Sequence, residues 1–262
     1  MRNPKPAPGE RWAVFLDLDG TLFAEKHTVP IANREAIAAA RAKGHLVFLN
    51  TGRSFAHLPE GLLEQVEADG IITGNGAMLQ IHGVLHHEAA LSEELVERIM
   101  EYVFRRRELW ALFEGYHHTY AISRDPERRK AHQIPLQSPG DVKKIYPDDR
   151  IQVVAIGETV PQDFIHLFRD ELSVIQSPTY ADVSRKGNTK AAAMEMALTL
   201  AGIHPDHTIA IGDGANDRDM LLSAAVGVAM ANAHPTLLEV ADHMTLSNLD
   251  CGVAAAIHKF LL

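Results

Sequence analysis

The sequence predicts an α/β fold: a doubly wound, mostly parallel sheet whose chain is interrupted by an inserted α+β domain. Three observations carry that prediction. Short apolar runs alternate with Ala-rich helical stretches towards both ends of the 262-residue chain, as strands buried on both faces alternate with the helices that cover them. Between about residues 83 and 180 the alternation gives way to mixed hairpin and helix signals. The terminal runs end on Gly- and Asp-containing segments, at the carboxyl edge where open α/β sheets bind ligands. The expected division is residues 1–82 with 181–262 as one α/β domain, and 83–180 as the insert.

The elements follow in order. A proline-rich polar arm precedes Trp12-Ala-Val-Phe-Leu16, which reads as a first buried strand. A helix is expected over 31–43, with Pro30 suited to its first turn and Gly44 to its C-terminal cap. Residues 45–49 read as a second strand, 57–67 as a helix and 70–72 as a third strand. Residues 77–87 read as a hairpin around His82-Gly83. An amphipathic helix over 92–107 and an aromatic-rich strand pair over 110–122 come next. A charged stretch at 124–130 and a Pro/Gln/Gly connection at 135–140 lead to a strand at 151–156. A helix at 161–170 and one or two strands within 172–183 complete the insert. After Thr189 the α/β pattern resumes, with a helix over 190–201, a strand over 208–211, a helix from about 216, a strand over 226–228 and a closing helix.

Composition narrows the class. The chain has 34 acidic and 25 basic side chains, a formal net charge of -9, which opposes a role in coating nucleic acid or an anionic membrane. At 46% hydrophobic and 23% charged residues, it is neither disordered, collagenous nor a coiled coil. The single cysteine, Cys251, permits no internal disulfide. No apolar run is long enough to span a bilayer, no signal-peptide pattern opens the chain, and the expected compartment is the cytoplasm. Nothing in the pattern specifies an oligomeric state.

The chemistry gathers at the strand ends. Asp17-Leu18-Asp19-Gly20-Thr21 follows the first strand and Thr51-Gly52-Arg53 the second. Lys190 opens the helix after the insert, and Gly212-Asp213-Gly214-Ala215-Asn216-Asp217 closes the strand at 208–211. Four carboxylates at one sheet edge repel one another unless a cation offsets them, and an all-oxygen set favours Mg²⁺ completed by a substrate phosphate. Lys190 and Thr51 offer a cation and a hydroxyl to phosphate oxygens. Glycines at 20, 52, 212 and 214 let backbone N–H groups approach an anion. Residues i and i+2 at a strand end project to one side, so one of Asp17 and Asp19 can attack phosphorus while the other protonates the leaving oxygen and later activates water.

Plainer readings compete for each feature. A lone Asp-x-Asp-Gly is a solvated turn or calcium-like loop, and a lone Gly-Asp-Gly is a turn; the convergence of all the segments argues for a site. His86-His87 and His117-His118 are adjacent pairs, which point to opposite faces of a strand and cannot jointly grip an ion, so no zinc site is expected. Arg105-Arg106-Arg107 reads as helix-dipole chemistry and solvated surface, and Arg124, Arg128, Arg129 and Lys130 as a solvated charged helix. Trp110, Phe113, Tyr116 and Tyr120 read as insert core first and pocket wall second, and Cys251 as a small packing residue.

Taken together, the Asp17-x-Asp19-Gly20-Thr21, Thr51-Gly52, Lys190 and Gly212-Asp213-x-x-Asn216-Asp217 segments resemble the four motifs of the haloacid dehalogenase-like phosphatases. The position of the insert and Thr73-Gly74-Asn75-Gly76-Ala77 are similar to the Cof-type, class IIB subfamily, which carries an α+β cap there. The resemblance implies Asp17 as nucleophile, through an aspartyl-phosphate, and Asp19 as general acid/base. It implies Thr51, Gly52, Lys190 and Asn216 around the phosphoryl group. Mg²⁺ would be held by Asp17, the Asp19 carbonyl and Asp213, with Asp217 and Asn216 in support. Lys186 is an alternative to Lys190, which is preferred because it begins the helix after a Gly-Asn-Thr turn. The implied activity is hydrolysis of a small phosphorylated metabolite, a sugar phosphate first. A phosphomutase of the same superfamily and a phosphoacceptor signalling module are the alternatives. No motif marks the cap residues that choose the substrate.

Overall fold

Four consecutive buried side chains place Ala13–Leu16 (β1) at the centre of the larger sheet. The computed structural model describes residues 6–7, 9–157, 159–177 and 179–262; most of the expected N-terminal arm lies outside the described residues. On one side β1 pairs in parallel with Leu46–Asn50 (β2), which pairs with Gly70–Thr73 (β3). The hairpin of Met78–Ile81 (β4) and Val84–Glu88 (β5) then continues the sheet antiparallel. On the other side lie Thr208–Gly212 (β12), Val226–Ala229 (β13) and His243–Met244 (β14), all parallel. The order is therefore β14-β13-β12-β1-β2-β3-β4-β5, and the chain changes direction between β1 and β12. That switch point is where a doubly wound sheet opens a crevice.

The period-2 alternation of β1 divides the two layers of core. Val14 and Leu16 pack with Ile31–Ala42 (α1) and Gly252–Phe260 (α8). Ala13 and Phe15 pack with Lys190–Ala201 (α5) and Arg218–Ser223 (α6). The helix expected over 57–67 is instead a 3-10 turn at Phe55–His57 followed by the short Leu62–Val66 (α2). Pro59 and Gly61, the latter at φ +73°, interrupt it. Pro235–Leu238 (α7) and β14 were not expected, being too short to show periodicity. Cys251 packs against the α1/α8 core, as expected of a small apolar residue. No helix among the described residues is long and apolar enough to cross a membrane.

The insert builds a second, six-stranded sheet from Trp110–Glu114 (β6), Thr119–Ile122 (β7), Ile134–Pro135 (β8), Val153–Gly157 (β9), Leu172–Gln176 (β10) and Ala181–Arg185 (β11), in the order β10-β11-β9-β6-β7-β8. Glu93–Phe104 (α3) and Gln162–Phe168 (α4) cover one of its faces. Sheet membership moves both expected boundaries. β5 at 84–88 belongs to the larger sheet and β11 at 181–185 to the smaller one, so division at 83 would cut the β4–β5 hairpin and division at 181 would part β11 from its sheet. The His82-Gly83 turn, at φ +50° and +76°, returns the chain to the same sheet instead of leaving it. The charged stretch contains a 3-10 turn at Pro126–Arg128 and not a helix. His117 and His118 lie at the β6–β7 turn, where buried Asp149 accepts their backbone N–H groups and that of Tyr116. That is a structural task for the segment.

Candidate active site

The crevice at the β1–β12 switch point is built first by backbone. The Asp17 N–H donates to the Ile211 carbonyl at 3.0 Å, carrying the pairing one residue past β1. The chain then turns back, the Leu22 N–H donating to the Asp17 carbonyl and the Phe23 N–H to that of Leu18. Gly20 forms the tip at φ +79°, and a Cβ there would sit 2.2 Å from Asp213 Oδ2. Only glycine lets the two motif loops close on each other. The Thr21 hydroxyl donates to Asp213 Oδ1 at 2.8 Å and fixes that carboxylate.

Lys190 lies at the centre, its side chain 0% exposed. Its Nζ donates to Asp17 Oδ1 at 2.5 Å and Asp217 Oδ1 at 2.6 Å. The other Asp217 oxygen accepts the N–H groups of Asp213 and Gly214 at 3.0 and 2.9 Å, so Asp217 ties the lysine to the loop after β12. Thr189 caps α5 by accepting the Ala192 N–H. Asn50, at the end of β2, donates to the Lys190 carbonyl at 3.1 Å. Lys186 instead donates to the Arg169 carbonyl on the insert at 2.8 Å, and the lysine that reaches the carboxylates is Lys190.

Among the described residues, the His, Cys, Asp and Glu groups close enough to share an ion are Asp17, Asp213 and Asp217, each offering an oxygen within 4.8 Å of the others. Burial, then the charge of Asp217, pushes the Asp17 carboxyl well above its ordinary value, with Lys190 opposing. Burial, joined by Asp217 and opposed by the Thr21 hydrogen bond, raises Asp213 to about 6. Burial alone would discharge Lys190, but Asp17 and Asp217 hold it charged, above its usual range. Two carboxylates thus remain under-compensated by one lysine. An oxygen-only donor set carrying that excess of negative charge fits a hard divalent cation such as Mg²⁺.

The facing wall comes from the end of β2. Thr51 is buried and its Oγ accepts the Arg53 N–H at 3.1 Å. Gly52 lies against Asn75 and Asn216, whose side chains are joined by an Asn216 Nδ2 to Asn75 Oδ1 hydrogen bond of 3.2 Å. Asp19 and Asp17 line the same cleft, but Asp19 turns to Arg53, which donates to both its oxygens at 2.6 and 2.7 Å. Burial would raise the Asp19 carboxyl; the Arg53 hydrogen bonds and charge outweigh it and hold it below the usual range.

Sequence reasoning gave Arg53, His57, Glu114 and Asp182 no role. The cleft, of about 470 Å³, runs from Asp17 and Thr51 to Glu114 and Asp182 on the insert, and His57 Nδ1 bridges to Glu114 Oε1 at 3.0 Å. A period-2 signal marked the two carboxylates of the insert. Along β6, Ala111 and Phe113 enter the insert core, while Trp110, Leu112 and Glu114 face the cleft. Along β11, Ala181 and Val183 enter the core and Asp182 faces the cleft. Which face the helices cover decides the assignment, and one strand's alternation does not say. Of the four aromatics, Phe113 and Tyr120 are core, Trp110 is wall, and Tyr116 stacks on Phe55 of the larger domain at 4.7 Å. Arg128 and Lys130 border an adjoining compartment of about 540 Å³ beyond Trp110 and Tyr180.

Known proteins bear on this geometry. The sequence profile of the haloacid dehalogenase-like hydrolases matches residues 14–257. M6_Spy0533 of Streptococcus pyogenes serotype M6 is 30% identical, over 95% of this chain and 98% of its own. The 5-amino-6-(5-phospho-D-ribitylamino)uracil phosphatase YcsE of Bacillus subtilis is 28% identical, over 95% of each chain. Among solved structures, the subclass IIB sugar phosphatase BT4131 superposes with a TM-score of 0.81 at 27% identity, over 94% of this chain and 98% of that one.

Proposed function

The chain belongs to the haloacid dehalogenase-like hydrolases, and on that premise we propose that it removes the phosphoryl group of a small metabolite, a sugar phosphate first, through an aspartyl-phosphate on Asp17. Its class is that of the phosphoric monoester hydrolases. The observation that carries the finer reading is Lys190, buried between Asp17 and Asp217 and beside Asp213.

The steps assigned to the chain's own groups are these. Thr51, the backbone at Gly52, Lys190 and Asn216 hold the phosphoryl oxygens. An Asp17 oxygen attacks phosphorus as the bond to the leaving oxygen breaks, and Asp19 supplies that oxygen's proton. Asp19 then takes a proton from water, whose oxygen attacks phosphorus and releases Asp17. Arg53 keeps Asp19 ionised in this structure, so the acid role requires the carboxyl to leave Arg53 and take up a proton. Asp17, the Asp19 carbonyl and Asp213, with Asp217 and Asn216 in support, would hold Mg²⁺, whose charge would offset that of the phosphoryl oxygens. A cytoplasmic location accords with such a substrate.

The test is phosphate release from p-nitrophenyl phosphate with Mg²⁺, abolished by EDTA and restored by excess Mg²⁺. Catalytic release of inorganic phosphate separates hydrolysis from transfer back to a sugar and from a phosphoacceptor that stops at Asp17. No release under these conditions would end the proposal.

A pH dependence follows from Asp213. Its carboxyl titrates at about 6 in the metal-free fold against an ordinary 3.8, so the folded chain binds more protons in that window. Metal-free stability therefore falls as pH rises through it, and a bound cation relieves the deficit. Mg²⁺ is expected to raise Tm more at pH 7.5 than at pH 5 in matched thermal melts. An equal or reversed shift would contradict the site.

A further inference from the structure

We propose that Asp182 selects substrates whose leaving group presents a protonated amine to the insert wall of the cleft. This rests on the phosphatase reading above and adds the chemistry of the group being released. Asp182 sits on β11 between Ile175 of β10 and Ala155 of β9 in the sheet register, so its neighbours across the strands are apolar. It is partly buried in the cleft wall, and among the described residues its side chain makes neither a hydrogen bond nor an ion pair. Glu114, the other carboxylate of this wall, is already joined to His57. Among the described residues, the insert contributes no lysine or arginine to the compartment that holds Asp17; Arg128 and Lys130 lie in the adjoining one.

A carboxylate drawn partly out of water without a partner loses solvation that nothing in the wall replaces. Burial, then the charge of Glu114, raises Asp182 to about 7, although Lys190 and His57 pull the other way. An ammonium delivered by the substrate would give this carboxylate a charge-assisted hydrogen bond, and Trp110 and Tyr180, which line the same cleft, are rings of the kind that attract a cation. A carboxylate brought to the same place would meet two like charges. The phosphoryl end is fixed at the far side of the cleft, so the wall reads only the leaving group.

The experiment compares glucosamine 6-phosphate, glucose 6-phosphate and 6-phosphogluconate, three substrates of nearly one size whose leaving groups are cationic, neutral and anionic. In the wild type kcat/KM is expected to fall in that order, with about tenfold or more between the first two, as a charged hydrogen bond provides. In Asp182→Asn that ratio is expected to collapse to within about twofold, read against Asp182→Glu, which retains the preference for the amine. Equal use of the amine and the neutral sugar by the wild type, or a ratio unchanged in Asp182→Asn, overturns the proposal. If p-nitrophenyl phosphate is not hydrolysed, the phosphatase reading has failed separately. Calorimetric binding of the same three ligands to Asp17→Asn then still reads the order, and equal affinities overturn the role of Asp182.

Discussion

Asp17→Asn is expected to lose phosphate release by about 10³-fold or more, as removal of a covalent nucleophile does, while the fold holds or gains stability. The two halves of this result have one cause. The Asp17 carboxyl is buried beside Asp217 and pushed well above its ordinary value, so its ionised form is disfavoured in the fold without metal. Asparagine keeps the shape and removes the charge, and Lys190 retains Asp217 as partner at 2.6 Å. Metal-free Tm at pH 7.5 should match or exceed that of the wild type, whereas the gain in Tm on adding Mg²⁺ should shrink. A strained functional site is expected to show this exchange of stability for activity. The assay is phosphate release with p-nitrophenyl phosphate, beside thermal melts with and without Mg²⁺. Activity within tenfold of the wild type would remove Asp17 from the reaction.

What the sequence displayed, and what it hid, follows from the reach of each signal. β1 and β12 were legible because a strand buried on both faces is a continuous apolar run, and the groups after them were legible because a doubly wound sheet presents its carboxyl edge to ligand. α5 was legible to the residue, because Thr189 and Gly202 mark its ends locally. Arg53 was visible in the string after Thr51, but its function depends on Asp19, 34 residues away, and no local pattern links them. The alternation that the sequence suggested for Asp17 and Asp19 stops at Leu16, where β1 ends; the two carboxylates then part towards Lys190 and Arg53. The boundaries of the insert were misplaced for a related reason. A hairpin signal at His82-Gly83 says that a strand returns, and only the pairing of β4 with β3 says which sheet receives it. Asp182 is the same case in reverse, a polar position on an alternating strand whose outward face becomes a cleft wall only because a second domain stands opposite.

Lys190→Met is expected to damage both stability and rate. The lysine's side chain is fully buried between two carboxylates, and methionine fills similar volume without charge. Removing one partner of a buried ionic cluster leaves the others uncompensated, which costs about 3–5 kcal/mol. For a chain of this size that is a fall in Tm of roughly 10 °C. The loss should depend on pH in a stated direction. With the lysine gone, Asp17 is raised further above its ordinary range, so the variant's fold binds a proton that its unfolded chain releases. Its stability then recovers as pH falls from 7.5 to 5, narrowing the gap to the wild type. Phosphate release should drop by about 10²–10³-fold even where the protein is folded, as loss of a preorganised charge facing a developing oxyanion does. Asp217 also loses its hold on the start of α5, so added Mg²⁺ should restore Tm in part and activity little. A Tm within 2 °C of the wild type at pH 7.5 (against the roughly 10 °C expected), or a gap that widens in acid, would mean that Lys190 is not the counter-charge on which the site is built.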